Sequence, residues 1–196
     1  MRSTRRMVMT VLTLFLCASC APLTYNRTDP GKFEGSLDVR WIKPDKFIYV
    51  PSQEDPLRFT TSDRRVIAPR EMYTDGGSIP RLFWGVPGYS PWGYAPAYII
   101  HDWLFEAHHC DVPEYRDISF DRSASILAEA IKTLMVTKVA PKDETTLWAI
   151  YEAVKSPIAK SLWDKPMSCN PPMEIKGVAQ PPGELLFKIR IDNAPK

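Results

Sequence analysis

Short segments in which apolar and polar residues alternate occupy the first half of the chain. Residues 37–41 alternate with a period of two, which is the pattern of a half-buried β-strand. Three further segments, residues 47–50, 57–60 and 65–68, are rich in strand-favouring residues and are bounded by Pro, Ser, Asp or charged residues. The pattern predicts the antiparallel strands of a small sheet.

From Pro96 onward the apolar spacing changes to that of helices. Pro96 suits a first helical position, because a helix leaves that N–H unbonded, and we expect this central helix to reach His109. Ser119 or Asp117 can cap a second helix from about Phe120 to Val139. Its apolar residues lie on one face: Ala124, Leu127, Ile131, Leu134 and Met135. Two helices are therefore predicted in the middle of the chain.

The last third predicts one more helix and one more strand. Pro141 opens a helix through Val154 that continues, with a kink, past Pro157 to Trp163. After a Pro-rich segment, residues 185–191 alternate cleanly and predict a strand that returns to the sheet. Strands, about three helices and a C-terminal strand predict an α+β fold.

The first nineteen residues have the pattern of a targeting segment. Three arginines precede an apolar run at residues 7–16 that is too short to span a bilayer. The run leads into Ala18-Ser19-Cys20, which resembles a bacterial lipoprotein signal with Cys20 as the lipidated residue. Ordinary secretory cleavage after Ala21 is the alternative. Both readings export the protein.

This reading divides the chain into three parts. Residues 1–19 are the signal peptide, residues 20–35 are a polar tether, and residues 36–196 form a single α+β domain. We expect a lipid-anchored protein of the bacterial cell envelope, on its periplasmic or surface side. The membrane is then a partner through Cys20, whereas the sequence specifies no protein partner.

Export determines how the cysteines and charges are interpreted. Cys110 and Cys169 remain in an oxidising compartment, where a disulfide between them is expected; two free buried thiols are the alternative. Without the three arginines of the signal, 22 basic residues face 23 acidic residues. This near-neutral balance argues against a nucleic-acid partner.

The adjacent residues His101 and Asp102 are the main candidates for chemistry. All three histidines of the protein lie in the central helix, and the pair is flanked by Ile99, Ile100 and Trp103. A polar pair in apolar surroundings needs a reason, because buried charges are costly unless they are paired. A satisfied structural network and a functional site are both possible reasons.

Two motifs around this pair resemble the bacterial and phage family called domain of unknown function 1353. The resemblance covers roughly residues 47–135. Its residues are Thr74, Asp75, Ser78, Ile79, Pro80, Arg81, Trp84, Tyr94, Ala97, His101, Asp102, Leu104 and Phe105. The family name implies no activity. The resemblance therefore locates the candidate site in the sequence but does not assign a reaction to it.

Two metal-dependent chemistries use a His-Asp pair and fit this sequence poorly. Metal phosphohydrolases need a histidine upstream of the pair, and none precedes His101. A zinc site could use Asp102, Glu106 and His109, which share one helical face, but the same spacing describes an exposed helix surface with paired charges.

The arrangement also resembles that of secreted phospholipases A2. That resemblance implies His101 as the base and Asp102 as a calcium ligand beside the backbone of Gly76 and Gly77. An aspartate of the second helix would orient the histidine, and Asp121 is the candidate. The sequence departs from that class at Phe105 and Ser125, where a tyrosine and an acid are expected. Calcium is accordingly a possible cofactor, and the sequence does not decide the requirement.

The loop before the helix has alternative interpretations as well. Asp75 followed by Gly76 and Gly77 is good turn chemistry and can simply shape the entrance to the helix. Ser78 lacks the glycine neighbours of a nucleophile elbow. We therefore expect hydrolysis with a catalytic set of His101, Asp102, Asp75 and Asp121. The rival hypothesis is a non-catalytic envelope or phage-associated binding domain in which the same residues form a buried network.

Overall fold

Within the residues that it describes, the structure combines two antiparallel sheets with five α-helices. It is a computed structural model that describes residues 20–43, 46–74, 92–166, 169 and 184–190. In chain order its elements are α1 (residues 20–27), β1 (Lys32–Glu34), β2 (Ser36–Lys43), β3 (Lys46–Tyr49), β4 (Arg58–Thr60), β5 (Val66–Ile67), β6 (Met72–Thr74), α2 (Ala95–His109), α3 (Phe120–Val136), α4 (Glu144–Val154), α5 (Pro157–Trp163) and β7 (Glu184–Arg190). The predicted α+β class is confirmed.

The larger sheet has four strands in the order β6-β3-β2-β7. Val39 of β2 lies opposite Tyr49 of β3, which lies opposite Met72 of β6, and all three side chains are buried. β7 pairs with β2 from Ser36↔Arg190 to Trp41↔Glu184, so the C-terminal strand returns to the sheet as predicted. This row of buried residues forms the side of the core that faces the helices.

The smaller sheet has three strands in the order β1-β4-β5. Phe33, Phe59 and Ile67 occupy one row across it and are fully buried, and the two phenylalanine rings lie 4.7 Å apart. Ser36 joins the two sheets, because its backbone N–H and its hydroxyl both donate to the carbonyl of Asp55. The single sheet that the alternation pattern predicted is therefore divided in two.

The helix boundaries depend on local capping. Ser119 caps α3, because its hydroxyl accepts a hydrogen bond from the N–H of Arg122 at 3.2 Å. Asp143 caps α4 in the same way, accepting from Thr146, so the helix does not open at Pro141. Ser156 caps α5 and separates it from α4. The predicted kinked helix is thus two short helices.

The N-terminal segment differs from the predicted tether. Residues 20–27 form α1, and Ala21 and Tyr25 of this helix are buried. The ammonium of Lys132 on α3 donates to the carbonyls of Tyr25 at 2.7 Å and Thr28 at 2.6 Å. The polar, turn-rich residues of this segment predicted a tether, whereas the structure buries an i, i+4 apolar pair, Ala21 and Tyr25.

Gly31 fixes the exit from α1 into β1. Its N–H donates to the hydroxyl of Thr133 at 2.8 Å. A Cβ atom at this position would lie 2.2 Å from the carbonyl oxygen of Thr60, so only glycine fits. Within the part of the chain that the structure describes, no helix is both long and apolar enough to cross a membrane.

Candidate functional site

α2 places His101 and Asp102 on adjoining faces of one helix. Successive helical residues point about 100° apart, so the two side chains address different surroundings. The carboxylate Oδ2 of Asp102 accepts a hydrogen bond from the hydroxyl of Thr74 at 2.7 Å. Thr74 is the last residue of β6 and is buried. This bond ties the helix to the edge strand of the larger sheet, across 28 residues of chain.

The imidazole of His101 is held neutral by its surroundings. Burial lowers its pKa from 6.5 to about 4, because the charged form loses its hydration. Its Nε2 atom is covered and has no hydrogen-bond partner among the described residues. The ring packs against Phe105, with the centroids 5.0 Å apart. At neutral pH this histidine is therefore a neutral, half-buried imidazole whose covered Nε2 atom has no partner in the part of the chain that the structure describes.

The structure does not bring Asp121 to His101. Asp121 is exposed at the start of α3, and its backbone carbonyl accepts the hydroxyl of Ser125 at 2.9 Å. Ser125 and Ala128, which continue the same helical stripe, line a cleft beside α1 instead of facing α2. A carboxylate near the imidazole would raise the pKa of His101, whereas that pKa is lowered by burial. The proposed orienting role of Asp121 is thus not supported.

The loop residues of the expected site lie outside the described residues. These are Asp75, Gly76, Gly77 and Ser78. Their expected roles stay predictions. The described part of the site consists of Thr74, His101, Asp102 and the ring of Phe105.

The three candidate zinc ligands on α2 do not converge. The Nε2 of His109 lies 3.2 Å from the carbonyl oxygens of Leu162 and Trp163 at the end of α5. Glu106 lies against Cys110, 3.2 Å from its sulfur. Among the described residues, the one cluster with metal-ligand spacing is Glu106, Cys110 and Cys169, and its two sulfurs are bonded to each other. The i, i+4, i+7 spacing therefore describes a packed helix surface.

A calcium site is also not formed by the described residues. A hard cation takes six to eight oxygen ligands, typically from several carboxylates and carbonyls. Asp102 is the only carboxylate of the expected set that the structure describes at this place, and its Oδ2 is engaged by Thr74. The backbone of Gly76 and Gly77, which supplies the other expected ligands, lies outside the described residues, so the calcium site stays a prediction.

A disulfide closes the C-terminal end of α2. Cys110 immediately follows the helix and is bonded to Cys169, with 4.7 Å between the Cα atoms. Beside it, the His108 ring stacks on Trp163 of α5 at 4.0 Å, and burial lowers the pKa of that imidazole. The helix that carries the His-Asp pair is thus fixed at two points, by the hydrogen bond of Thr74 to Asp102 near its middle and by the disulfide immediately after its last residue.

Two polar contacts were missed from the sequence. Thr74 was noted as part of a motif, but not as the partner of Asp102. Glu129 of α3 is buried, where it accepts from the N–H of Ser62 at 2.8 Å and pairs with Arg122. A glutamate among the apolar residues of a helix is the signal that could have indicated this second contact.

These features define an α+β domain in which one disulfide-linked helix presents a neutral histidine and an anchored aspartate beside the edge of a sheet. A family model described as "Protein of unknown function (DUF1353)" matches residues 53–154. The chain belongs to this family, as the two motifs predicted. No curated protein and no solved structure matches the chain, so the similarity to phospholipases A2 has no support from comparison.

Proposed function

We propose that this protein is an exported, lipid-anchored envelope protein whose helix α2 carries a hydrolytic site with His101 as the general base. The observation that carries the hydrolytic part is the covered Nε2 of His101, which has no hydrogen-bond partner among the described residues. Leaving a buried polar atom unsatisfied costs about 1–3 kcal/mol. An unsatisfied buried polar atom needs an explanation, and the position of His101 next to Asp102 favours a ligand or a reaction as that explanation.

The protonation state of His101 agrees with this role. A general base must be neutral before it takes a proton, and burial keeps His101 neutral down to a pH of about 4. An imidazole with so low a pKa is a weak base, so the reaction needs a group that stabilises the protonated ring in the transition state. We propose acyl esters of the envelope as the substrate class, because aromatic and aliphatic residues surround the polar pair.

The second candidate function is a non-catalytic binding domain. The contact that favours it is the Thr74 to Asp102 hydrogen bond, which gives Asp102 a structural role between β6 and α2. In this alternative, the His-Asp pair is retained for packing, and neither residue contacts a substrate.

Two substitutions distinguish these functions through the same hydrogen bond. Thr74→Val is nearly isosteric and removes the hydroxyl while leaving the carboxylate in place. A hydrogen bond to a charged group contributes about 1.5–3 kcal/mol, so we expect Thr74→Val and Asp102→Asn each to lower the melting temperature by several degrees. If the site is hydrolytic, only Asp102→Asn removes most of the activity.

Melting curves and hydrolysis of fluorogenic acyl esters provide the two measurements. Equal losses of stability with no activity in the parent protein would support the binding domain and exclude the hydrolase. A Thr74→Val variant as inactive as Asp102→Asn would show that the hydrogen bond, and not the carboxylate itself, is what the reaction needs.

The anchor is tested separately. Cys20 is exposed at the start of α1, where an acyl group would not disturb the core. We expect the protein in the membrane fraction, with an acylated mature N-terminus at Cys20, and we expect Cys20→Ser to release it or to block its processing. A mature N-terminus at Pro22, or at any later residue, without an acyl group would exclude the lipoprotein.

A further inference from the structure

We propose that α1 fixes the orientation of the domain on the membrane, so that one defined surface contacts the phospholipid bilayer. This inference rests on the proposed acylation of Cys20. The surface is formed by α1 and the cleft beside it, and we call it the anchor face. Its residues include Cys20, Leu23, Arg27, Ser125 and Tyr151.

The first support is that α1 is fixed against the helices. Two ammonium groups lie over the Tyr25 ring, that of Lys132 at 4.4 Å and that of Lys142 at 4.6 Å from its centroid. The same Lys132 donates to the carbonyls of Tyr25 and Thr28, where α1 ends and its carbonyls lack helical partners. These contacts join α1 to α3 and to the segment just before α4.

The second support is that contacts hold the short connection between α1 and β1 in place. The Thr28 hydroxyl bonds back to the carbonyl of Thr24 at 2.8 Å, and the Gly31 N–H donates to Thr133. The close approach of Gly31 to Thr60 fixes the chain again before β1 begins. An acyl chain on Cys20 would therefore be attached to the first residue of a docked helix of ~12 Å, and not to the end of a flexible linker.

The third support is the composition of the surface next to Cys20. Leu23 is 47% exposed, and it lines an open cleft of about 350 Å³ with Ser125 of α3 and Tyr151 of α4. Arg27, one turn further along α1, is exposed and lines the same cleft. Asp29 lines this cleft as well, so it carries charges of both signs. An apolar side chain and a tyrosine beside charges of both signs suit the headgroup region of a zwitterionic bilayer.

Fluorescent labels on the acylated protein test the orientation. Single cysteines replace Leu23, Ser125 and Leu185, and each carries an environment-sensitive dye in vesicles that contain headgroup nitroxide quenchers. Leu185 is the matched control, because it is a leucine that is 50% exposed but lies on β7 of the larger sheet. We expect quenching at positions 23 and 125 to exceed that at position 185 severalfold.

A second variant tests whether α1 is the cause of the orientation. Lys132→Met keeps the aliphatic stem and removes the ammonium that joins α1 to α3. We expect the label at position 23 to stay quenched, because it remains next to the acyl group, while the label at position 125 approaches the level of position 185. Lys165→Met, at an exposed lysine beyond α5, controls for the loss of one positive charge.

The outcomes separate this inference from the proposed anchor. Mass spectrometry first establishes whether Cys20 is acylated, and an unmodified Cys20 would reject the proposed anchor. If Cys20 is acylated and positions 125 and 185 are quenched equally in the parent, the domain has no preferred orientation on the membrane. That result would show that the proposed fixed orientation is wrong. Equal quenching at position 125 in the parent and in Lys132→Met would overturn the role assigned to Lys132.

Discussion

Replacing His101 with asparagine is expected to lower acyl-ester hydrolysis by about 10²- to 10⁴-fold, the usual effect of losing a positioned general base. The melting temperature at pH 7 should change by only a few degrees, because asparagine retains a polar group and most of the volume. The measurement pairs the hydrolysis rate with a melting curve. A drop of stability as large as that of a broken buried network would instead assign His101 to the scaffold.

The same variant should change how stability depends on pH. The folded-state pKa of His101 is about 4, against 6.5 for a solvent-exposed histidine such as that of the unfolded chain. Because the folded pKa is depressed, the unfolded chain binds the proton first as the pH falls. The stability from a neutral His101 is complete above pH 6.5 and is lost between pH 6.5 and 4. The difference between the two pKa values corresponds to about 3 kcal/mol of unfolding free energy.

Urea unfolding at pH 7, 5.5 and 4 measures this effect. The unfolding free energy of the parent should fall relative to that of His101→Asn by about 3 kcal/mol across this range. Parallel pH profiles for the two proteins would contradict a buried neutral imidazole. If the hydrolase reading is correct, the acid limb of kcat/KM should also lie near pH 4 and not near 6.5.

The sequence predicted those parts of the fold that depend on local interactions. The cap at Ser119 and the strands on either side of residue 45 follow from neighbouring residues, and so does the central helix. The predicted start of α4, at Pro141, was wrong by three residues. The helix begins at Glu144, because Asp143 caps its first turn. Local chemistry of this kind decides where an element begins and ends.

The remaining features depend on contacts between distant residues. Helical spacing placed Asp121, Ser125 and Ala128 on one stripe, but it could not tell which neighbour that stripe faces. In the structure Ser125 and Ala128 line the cleft next to α1, a helix that the polar, turn-rich composition of residues 22–35 had concealed. The apolar pattern of the sequence also cannot predict the hydrogen bond between Thr74 and Asp102, because 28 residues separate them.

The disulfide should be the largest single contribution to stability in this domain. Cys110 and Cys169 are separated by 59 residues, a span that includes α3, α4 and α5. Closing a loop of this length removes conformational freedom from the unfolded chain, which in the chain-entropy description is worth about 4 kcal/mol. For a protein of this size, the loss corresponds to a fall of roughly 8–16 °C in melting temperature.

The double variant Cys110→Ala/Cys169→Ala measures this contribution, with Cys20→Ser as the control for loss of a cysteine outside the bridge. Reductant should lower the melting temperature of the parent to about that of the double variant and should leave the double variant unchanged. The His108–Trp163 stack and the contacts of His109 to the end of α5 do not need the bridge, so α5 should stay folded at low temperature. A parent protein that is fully reduced, as shown by alkylation of both thiols, yet melts at its original temperature would contradict the predicted stabilisation. That result would mean that these contacts with α5, and not the covalent bond, hold the C-terminal end of the site helix in place.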